Sequence, residues 1–319
     1  MFNGNKMDAM FSVIITYYNK KEYIERCINS VLEQNYRNFE IIMVNDGSKD
    51  DGVQLVEEKF GNKVTIISQK NGGVSSARNT GLLNSQYGYI AFLDADDYWS
   101  PWFLESANHL IQQEKTVSII GAHYTRDQLL VQKNKEDVRY SEVKNYFKTA
   151  IKNTLFLTSA TIVKKDFFDH HVPFNTRLKS GEDLDVWFRI IESGGKAFYI
   201  ENSLVYYSDE DQQQITASYT ALDNALVGNI LAMYKDLLAK NESREFQEFV
   251  SKYIYFNIFP YYFDQKTKAQ ATSILKQINI RYGLAELLFK LPGHSTFQKI
   301  IKHKYKRLYF KFLFRYIYK

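Results

Sequence analysis

Cysteine is almost absent from this chain. Cys27 is the single one in 319 residues, so no intrachain disulfide can form, which suits a reducing compartment. Its place on the apolar face of an expected helix makes it a packing residue rather than a nucleophile. No stretch reaches the roughly 18 consecutive apolar residues that a spanning helix needs. The N-terminus carries no apolar run after its charges, so a secretory leader is not expected. There is no Gly-x-Gly-x-x-Gly, no P-loop and no His-Glu-x-x-His. The six histidines (His109, His123, His170, His171, His294, His303) show no metal-ligand spacing.

Acids are missing from one place in particular. The net charge is +5, but eight of the 41 Lys and Arg lie in residues 296–319, which hold no Asp or Glu. The other 33 face 36 acids in residues 1–295. A nucleic-acid enzyme more often spreads its basic surface across the fold, so a nucleic-acid partner is not expected.

What is present begins with a repeating pattern. Residues 11–16 (FSVIIT), 39–44 (FEIIMV), 63–68 and 88–93 (GYIAFL) read as strands; 22–34, 51–60 and 74–84 read as helices between them. Such alternation means a parallel α/β sheet. Ligands bind such sheets at the carboxyl ends of the strands, where three polar clusters fall: Thr16-Tyr17-Tyr18-Asn19, Asn45-Asp46-Gly47-Ser48 and Asp94-Ala95-Asp96-Asp97. Farther on, a helix capped by Ser100-Pro101 runs to about 113, with strands at 117–121 and 157–163. A helix covers 182–193 and two short strands lie at 196–200 and 203–207. Residues 122–150 follow no clear pattern, and from about 218 the chain reads as helical.

Three carboxylates in four residues at a sheet mouth repel one another, and a hard dication holding phosphate oxygens would relieve that. The bland alternative is a set of solvated acids favouring a following helix N-terminus. Asp46 reads either as a turn residue, with Ser48 and Asp51 at capping-box spacing, or as an acceptor for a nucleobase N–H. Gly72-Gly73 opens a helix whose start suits an anion, and Arg78, one turn in, reaches phosphate or base; otherwise it is a surface arginine. In Ser180-Gly181-Glu182-Asp183-Leu184-Asp185, capping competes with a role as general base. Asp183 is preferred over Asp185 for that role, with Glu182 supporting.

Together, Val13 to Asn19, Ile24 to Tyr36, Phe39 to Gly52, Asn71 to Gly81, Tyr89 to Trp99 and Gly181-Glu182-Asp183 resemble the family 2 inverting glycosyltransferases of the GT-A fold. The resemblance implies a Rossmann-like, mostly parallel α/β sheet flanked by helices, with a helical C-terminal region. It implies a nucleotide-sugar donor, with a UDP-sugar as the default. Thr16, Tyr17, Asn19, Asp46, Arg78, Asp94 and Ala95 would line the nucleotide site. Asp96 and Asp94 would hold Mn²⁺ or Mg²⁺, and Asp183 would be the base. Many relatives carry a metal-ligating His after the second acidic motif; Val205 to Asp211 has none, leaving Asp209, Asp211 or water as substitutes.

The expected organisation is a catalytic domain over 1–215 (donor side 11–100, acceptor side and base 101–215) and a helical region over 216–319. In the tail 296–319, Arg307, Lys311, Arg315 and Lys319 form a basic stripe beside Phe310, Leu313, Phe314 and Ile317. That helix would lie on an anionic membrane or pack on the protein. The expected acceptor is a glycan or lipid-linked glycan of bacterial surface polysaccharide, and the expected location is cytoplasmic, on the inner face of the cell membrane. The competing functions are a nucleotidyltransferase, whose usual glycine-rich loop after the first strand is missing, and a sugar-nucleotide or glycan binder without activity.

Overall fold

The computed structural model describes residues 8–151, 155–208, 220–240, 244–290 and 304–318, with side chains from 308 onward in the last segment. Residue contacts divide the chain into two units. One comprises Met1–Lys144 with Leu155–Tyr219, the other Asn145–Thr154 with Thr220–Lys319.

The first unit is built on one nine-stranded sheet, ordered β3-β2-β1-β4-β8-β6-β9-β5, with β7 pairing β9 from the side. Its parallel half is β1 (Phe11–Tyr17), β2 (Phe39–Asn45), β3 (Thr65–Ser68) and β4 (Tyr89–Asp94). Between them run helices α1 (Lys21–Leu32), α2 (Gly52–Phe60) and α3 (Val74–Asn84). Beyond β4 the sheet is mixed. β8 (Thr161–Lys164) is antiparallel to β4 and to β6 (Val117–Thr125), and β9 (Lys196–Tyr206) runs parallel to β6. β5 (Tyr98–Trp99) and β7 (Tyr140–Glu142) each pair antiparallel with β9. Helices α4 (Phe103–Gln113), α6 (Asp166–His170) and α7 (Glu182–Glu192) complete the unit; α5 (Tyr146–Ala150) belongs to the second.

Side-chain alternation along β1 distributes the core. Val13, Ile15 and Tyr17 pack in one cluster with Ile24, Cys27, Ile28 and Val31 of α1 and Phe103, Leu104, Ala107 and Leu110 of α4. Ile14 faces the other way, against Gly81 of α3, where any Cβ would strike its side chain. Cys27 is buried, as its helical position predicts.

Several boundaries differ from the sequence reading. The helix expected from Ser100-Pro101 starts at Phe103: Ser100 Oγ accepts from the Trp102 amide and donates to the Gln132 carbonyl, so it closes a turn instead of capping a helix. The strand expected at 157–163 is a 3₁₀ turn at Thr158–Ala160 followed by β8. The two strands expected at 196–200 and 203–207 are one strand with register shifts. The polar break that suggested a turn is buried Asn202, which accepts from the Arg139 amide and donates to Gln132 Oε1 and the Asp137 carbonyl. Neither capping box forms. The residue before α7 is Gly181, in left-handed conformation at φ 79°, and α2 follows Asp51 without a side-chain cap.

The second unit is helical: α5, α8 (Leu226–Met233), α9 (Lys235–Leu238), α10 (Arg244–Asn257), α11 (Phe259–Tyr262), α12 (Lys268–Lys276), α13 (Gly283–Lys290) and a tail helix, Lys304–Phe312, that ends in a π turn. An aromatic cluster holds it together, with Phe310 near Phe256, Phe259 and Phe289, and Phe314 near Tyr282. The expected apolar stripe of the tail is therefore mostly internal: Phe310, Leu313 and Phe314 are buried, and of the four only Ile317 is exposed. A different row, Leu308, Phe312 and Tyr316, stands 52–58% exposed at helical spacing. Lys299, Lys302 and Lys319 lie outside the described residues. No helix among those described is long and apolar enough to cross a membrane.

Candidate active site

Parallel register brings the three polar clusters level. Thr16 of β1 is paired with Asp94 of β4, and Tyr17 with Asn45 of β2. Period-two alternation then decides which side chains can meet a ligand. Thr16 Oγ1 donates to Asp94 Oδ1 at 3.0 Å. Tyr17 points to the opposite face, is buried under Gly52, and donates its hydroxyl to Asp50. Burial, and then Asp50, push that phenol well above its ordinary pKa. Tyr17 thus offers the site backbone only. Ala95 also turns into the core.

Asn19 adopts φ 50°, a conformation that asparagine tolerates. Its amide donates to Ser48 Oγ and its Oδ1 accepts from the Lys49 amide, so it ties the loop after β1 to the loop after β2. Asp46 is 4% exposed. Its Oδ1 accepts from Gln69 Nε2 at 2.7 Å and the Gly72 amide at 2.8 Å, and its Oδ2 accepts from the Gly73 amide at 2.8 Å. The N–H groups that the glycines offer at the α3 start are therefore met by Asp46, an anion of the protein itself.

Arg78 is the hub. It is 3% exposed, donating from Nη2 to Asp94 Oδ1 at 3.0 Å and from Nη1 to Glu182 Oε1 at 2.9 Å. Its guanidinium lies 5.4 Å from the Phe174 ring centre. Burial opposes its charge, but Asp94, Glu182 and Asp183 outweigh that and hold its pKa above the ordinary value. The surface-arginine reading fails, and the acidic cluster after β4 and the acidic start of α7 are one bonded network.

Asp183 accepts from Thr158 Oγ1 at 3.1 Å and from the Leu184 amide at 2.7 Å. Burial first, then Glu182, push its carboxyl up to about 6, against the pull of Arg78 and these two donors. Asp185 is different. It is buried and pairs with Arg189 at 3.0 Å, which also reaches the Val172 and Pro173 carbonyls. Asp185 braces α7, whereas Asp183 is held by Thr158 and the Leu184 amide and carries the raised carboxyl.

Asp96 and Asp97 diverge. Asp97 is buried and accepts from the Ser208 amide through Oδ1. Burial, then Asp94 and Asp96, hold its carboxyl well above the usual range. Asp96 Oδ2 lies 2.7 Å from Lys20 Nζ. Burial raises its pKa, Asp94 adds to this, and Lys20 pulls it back. Among the described residues no group of three His, Cys, Asp or Glu side chains could hold a metal ion; Asp209 and Asp211 lie outside them. Asp94 and Asp96 still present hard oxygen donors beside one another, a set that fits Mg²⁺ or Mn²⁺ sharing its shell with phosphate.

Several contributors escape sequence reasoning. Lys20, Gln69 and Thr158 each hold an expected site residue, and Ser159 Oγ accepts from the Asp94 amide. Only Lys20 carried a signal, being a cation directly after the first polar cluster.

The model of glycosyl transferase family 2 matches residues 12–172, half the chain and every element from β1 to β8. The chain belongs to glycosyl transferase family 2. It is 34% identical over 121 residues to glycosyltransferase GlyA of Streptococcus pneumoniae, which covers 37% of this chain and 17% of GlyA. Glycosyltransferase RP339 of Rickettsia prowazekii is 30% identical over 240 residues, 73% of this chain and 71% of that one. The chain thus spans less than a fifth of one relative and about seven-tenths of the other. S. aureus TarS 1–349 in complex with UDP-GlcNAc superposes with TM-score 0.67 at 18% identity, covering 97% of this chain and 91% of that one. The mannosyltransferase PcManGT of Pyrobaculum calidifontis, in complex with GDP-Man and Mn²⁺, gives 0.60 at 16%, covering 95% and 84%. The expected GT-A fold with a helical C-terminal region is the fold of this family 2 chain.

Proposed function

We propose that this family 2 chain is a metal-dependent inverting glycosyltransferase that moves a sugar from a UDP-sugar to a hydroxyl of a glycan or lipid-linked glycan. The observation that carries this is the Asp94–Arg78–Glu182 bridge, which joins the acids after β4 to Asp183 in one network. The UDP-sugar reading is supported by the UDP-GlcNAc complex of TarS, and the metal by the Mn²⁺ complex of PcManGT.

The chain's own groups divide the work. Thr16 and Arg78 fix Asp94 at the strand end. Asp183 keeps one lone pair on each oxygen beyond the bonds from Thr158 and Leu184. As the acceptor oxygen bonds the anomeric carbon and the bond to the diphosphate breaks, the acceptor proton passes to Asp183. Attack from the face opposite the diphosphate inverts the anomeric centre. A dication held by Asp94 and Asp96 would offset the charge of the leaving diphosphate.

The tail adds a location. Exposed Leu308, Phe312 and Tyr316, with exposed Lys311 beside them and no acid in 296–319, suit the interface of an anionic membrane. A lipid-linked acceptor would be met there.

The reaction is tested by nucleoside diphosphate release from a panel of nucleotide sugars with Mn²⁺, Mg²⁺ or EDTA, in wild type and Asp96→Ala. Metal-dependent release from one donor, lost in Asp96→Ala, is the expected result. Release that ignores both EDTA and the substitution would remove the metal from the proposal. Donor binding without release, with acceptor supplied, would leave a binder without activity.

A further inference from the structure

The helical unit carries a cavity of about 310 Å³ among α10, α11, α12 and α13, at the small end of the range for ligand sites. Helical spacing builds two stretches of its lining. Thr272, Leu275 and Lys276 share one face of α12, and Glu286, Phe289 and Lys290 share one face of α13. Tyr255 of α10 and Tyr262 of α11 join them. The aromatic part is a corner rather than a flat patch: the Tyr262 and Phe289 rings lie 5.0 Å apart at 85°, and the Tyr255 ring lies 6.0 Å from that of Phe289.

The polar groups of the cavity are held in place. Tyr255 is buried, and its hydroxyl donates to Glu286 Oε1 at 3.1 Å. The same oxygen accepts from Arg281 Nη1 at 2.9 Å, and Arg281 Nη2 donates to the Lys276 carbonyl at 3.2 Å. A buried phenol thus fixes a carboxylate, which fixes a guanidinium in the turn between α12 and α13. A guanidinium has more N–H donors than these two bonds use. The lining holds three cations, Lys276, Arg281 and Lys290, against one acid, Glu286, an excess of two positive charges. The Lys268 ammonium, 5.8 Å from the Tyr262 ring centre, adds to that sign.

Like charges gathered at one cavity repel, and an anion relieves them. A phosphate monoester carries about −1.5 to −2 near pH 7, which matches the excess. A bare phosphate would leave the rings unused, and an apolar ligand would leave the cations unused. A sugar ring has C–H faces for the aromatic corner and hydroxyls for Thr272, so a sugar that bears a phosphate uses both halves of the lining.

We propose that this cavity is a second ligand site that takes a phosphorylated sugar, with the phosphate held by Lys276, Arg281 and Lys290 and the ring against Tyr262 and Phe289. It shares no residue with the donor site, and the inference does not rest on the donor reading.

The test is a ligand-observed NMR titration of the full chain with glucose 6-phosphate, in excess UDP so that a nucleotide site is already filled. Glucose and inorganic phosphate are titrated separately. The variants are Lys276→Met with Lys290→Met, and Tyr262→Ala; both lysines are exposed, so the double variant should keep its fold, which thermal unfolding verifies. Wild type should bind glucose 6-phosphate, and each variant should bind it about tenfold or more weakly, the loss expected for contacts to a charged ligand. Glucose and inorganic phosphate should each bind wild type about tenfold or more weakly than the sugar phosphate. No binding of glucose 6-phosphate to wild type, or equal binding by the double lysine variant, overturns the site. Inorganic phosphate that binds as tightly as glucose 6-phosphate, or binding that Tyr262→Ala leaves unchanged, overturns the sugar assignment.

Discussion

Replacing Asp183 by asparagine should destroy transfer and stabilise the protein. Its carboxyl is pushed from 3.8 to about 6 in the folded chain, mainly by burial. The sign follows from proton counts. Between about pH 4 and 6 the folded state holds a proton on Asp183 that the unfolded state has lost, so stability falls as pH rises through that window and stays lowered above it. A two-unit shift is worth about 3 kcal/mol at most. Asparagine avoids this cost and keeps the geometry: its Oδ1 can accept from the Leu184 amide, and its Nδ2 can donate to Thr158 Oγ1 once that hydroxyl rotates. Allowing for lost attraction to Arg78 and for relaxation, the gain at pH 7.5 should be about 1–3 kcal/mol, or roughly 2–10 °C in Tm for a unit of this size. At pH 4 the two proteins should melt together. Transfer at pH 7.5 should drop about 10²–10⁴-fold, the range for losing a general base, with UDP affinity unchanged. Thermal unfolding from pH 4 to 8 and steady-state kinetics read both effects. A variant that is less stable than wild type at pH 7.5, or whose stability difference does not vary with pH, would refute the buried-base argument; undiminished transfer would refute the assignment itself.

Three further outcomes are expected. Arg78→Met strands Glu182 and, partly screened by solvent, Asp94; it should cost about 2–4 kcal/mol and move the acidic limb of the rate–pH profile upward from about 6, because Arg78 lowers the Asp183 pKa. A limb that stays in place would separate Arg78 from the base. Asp46→Asn removes an acceptor shared by Gln69, Gly72 and Gly73 and should cost about 1–3 kcal/mol together with donor affinity; loss of donor affinity at unchanged Tm would make Asp46 a ligand contact rather than a brace. Leu308→Ser with Phe312→Ser should abolish co-sedimentation with phosphatidylserine vesicles at unchanged Tm, whereas Phe310→Ala should cost about 3–5 kcal/mol of helical-unit stability; vesicle binding that survives the double substitution would refute the membrane face.

Much of the fold was legible because its first hundred residues obey simple periodicities. Three of the four apolar runs of the parallel half end in a polar cluster, and α1 buries one apolar stripe, Ile24, Cys27, Ile28 and Val31. The middle was not legible, because its order comes from distant partners. Asn202 is a polar break in the strand pattern and makes sense only against Gln132, Asp137 and Arg139. In the same way, the tail's stripes could not tell which side faces water, since that choice is made by Phe256, Tyr282 and Phe289.

The site divides along the same line. Where acids gather at strand ends, sequence locates them, but their direction and partners are set in three dimensions. Direction was partly recoverable: Thr16 and Tyr17 are neighbours on one strand, so their side chains must point to opposite faces and cannot both line one pocket. Thr16 joins Asp94 and Tyr17 joins the core. Partners were not recoverable. Nothing local to Asp46 reveals that Gln69, Gly72 and Gly73 will consume its lone pairs, and nothing local to Asp96 reveals Lys20. The distinction has a functional consequence. A carboxylate whose oxygens are held by backbone amides is fixed, whereas one held by a lysine from the rim can exchange partners. Of the acids expected to meet a ligand, Asp46 belongs to the first kind and Asp96 to the second, so under the proposed function a cation would enter at Asp96.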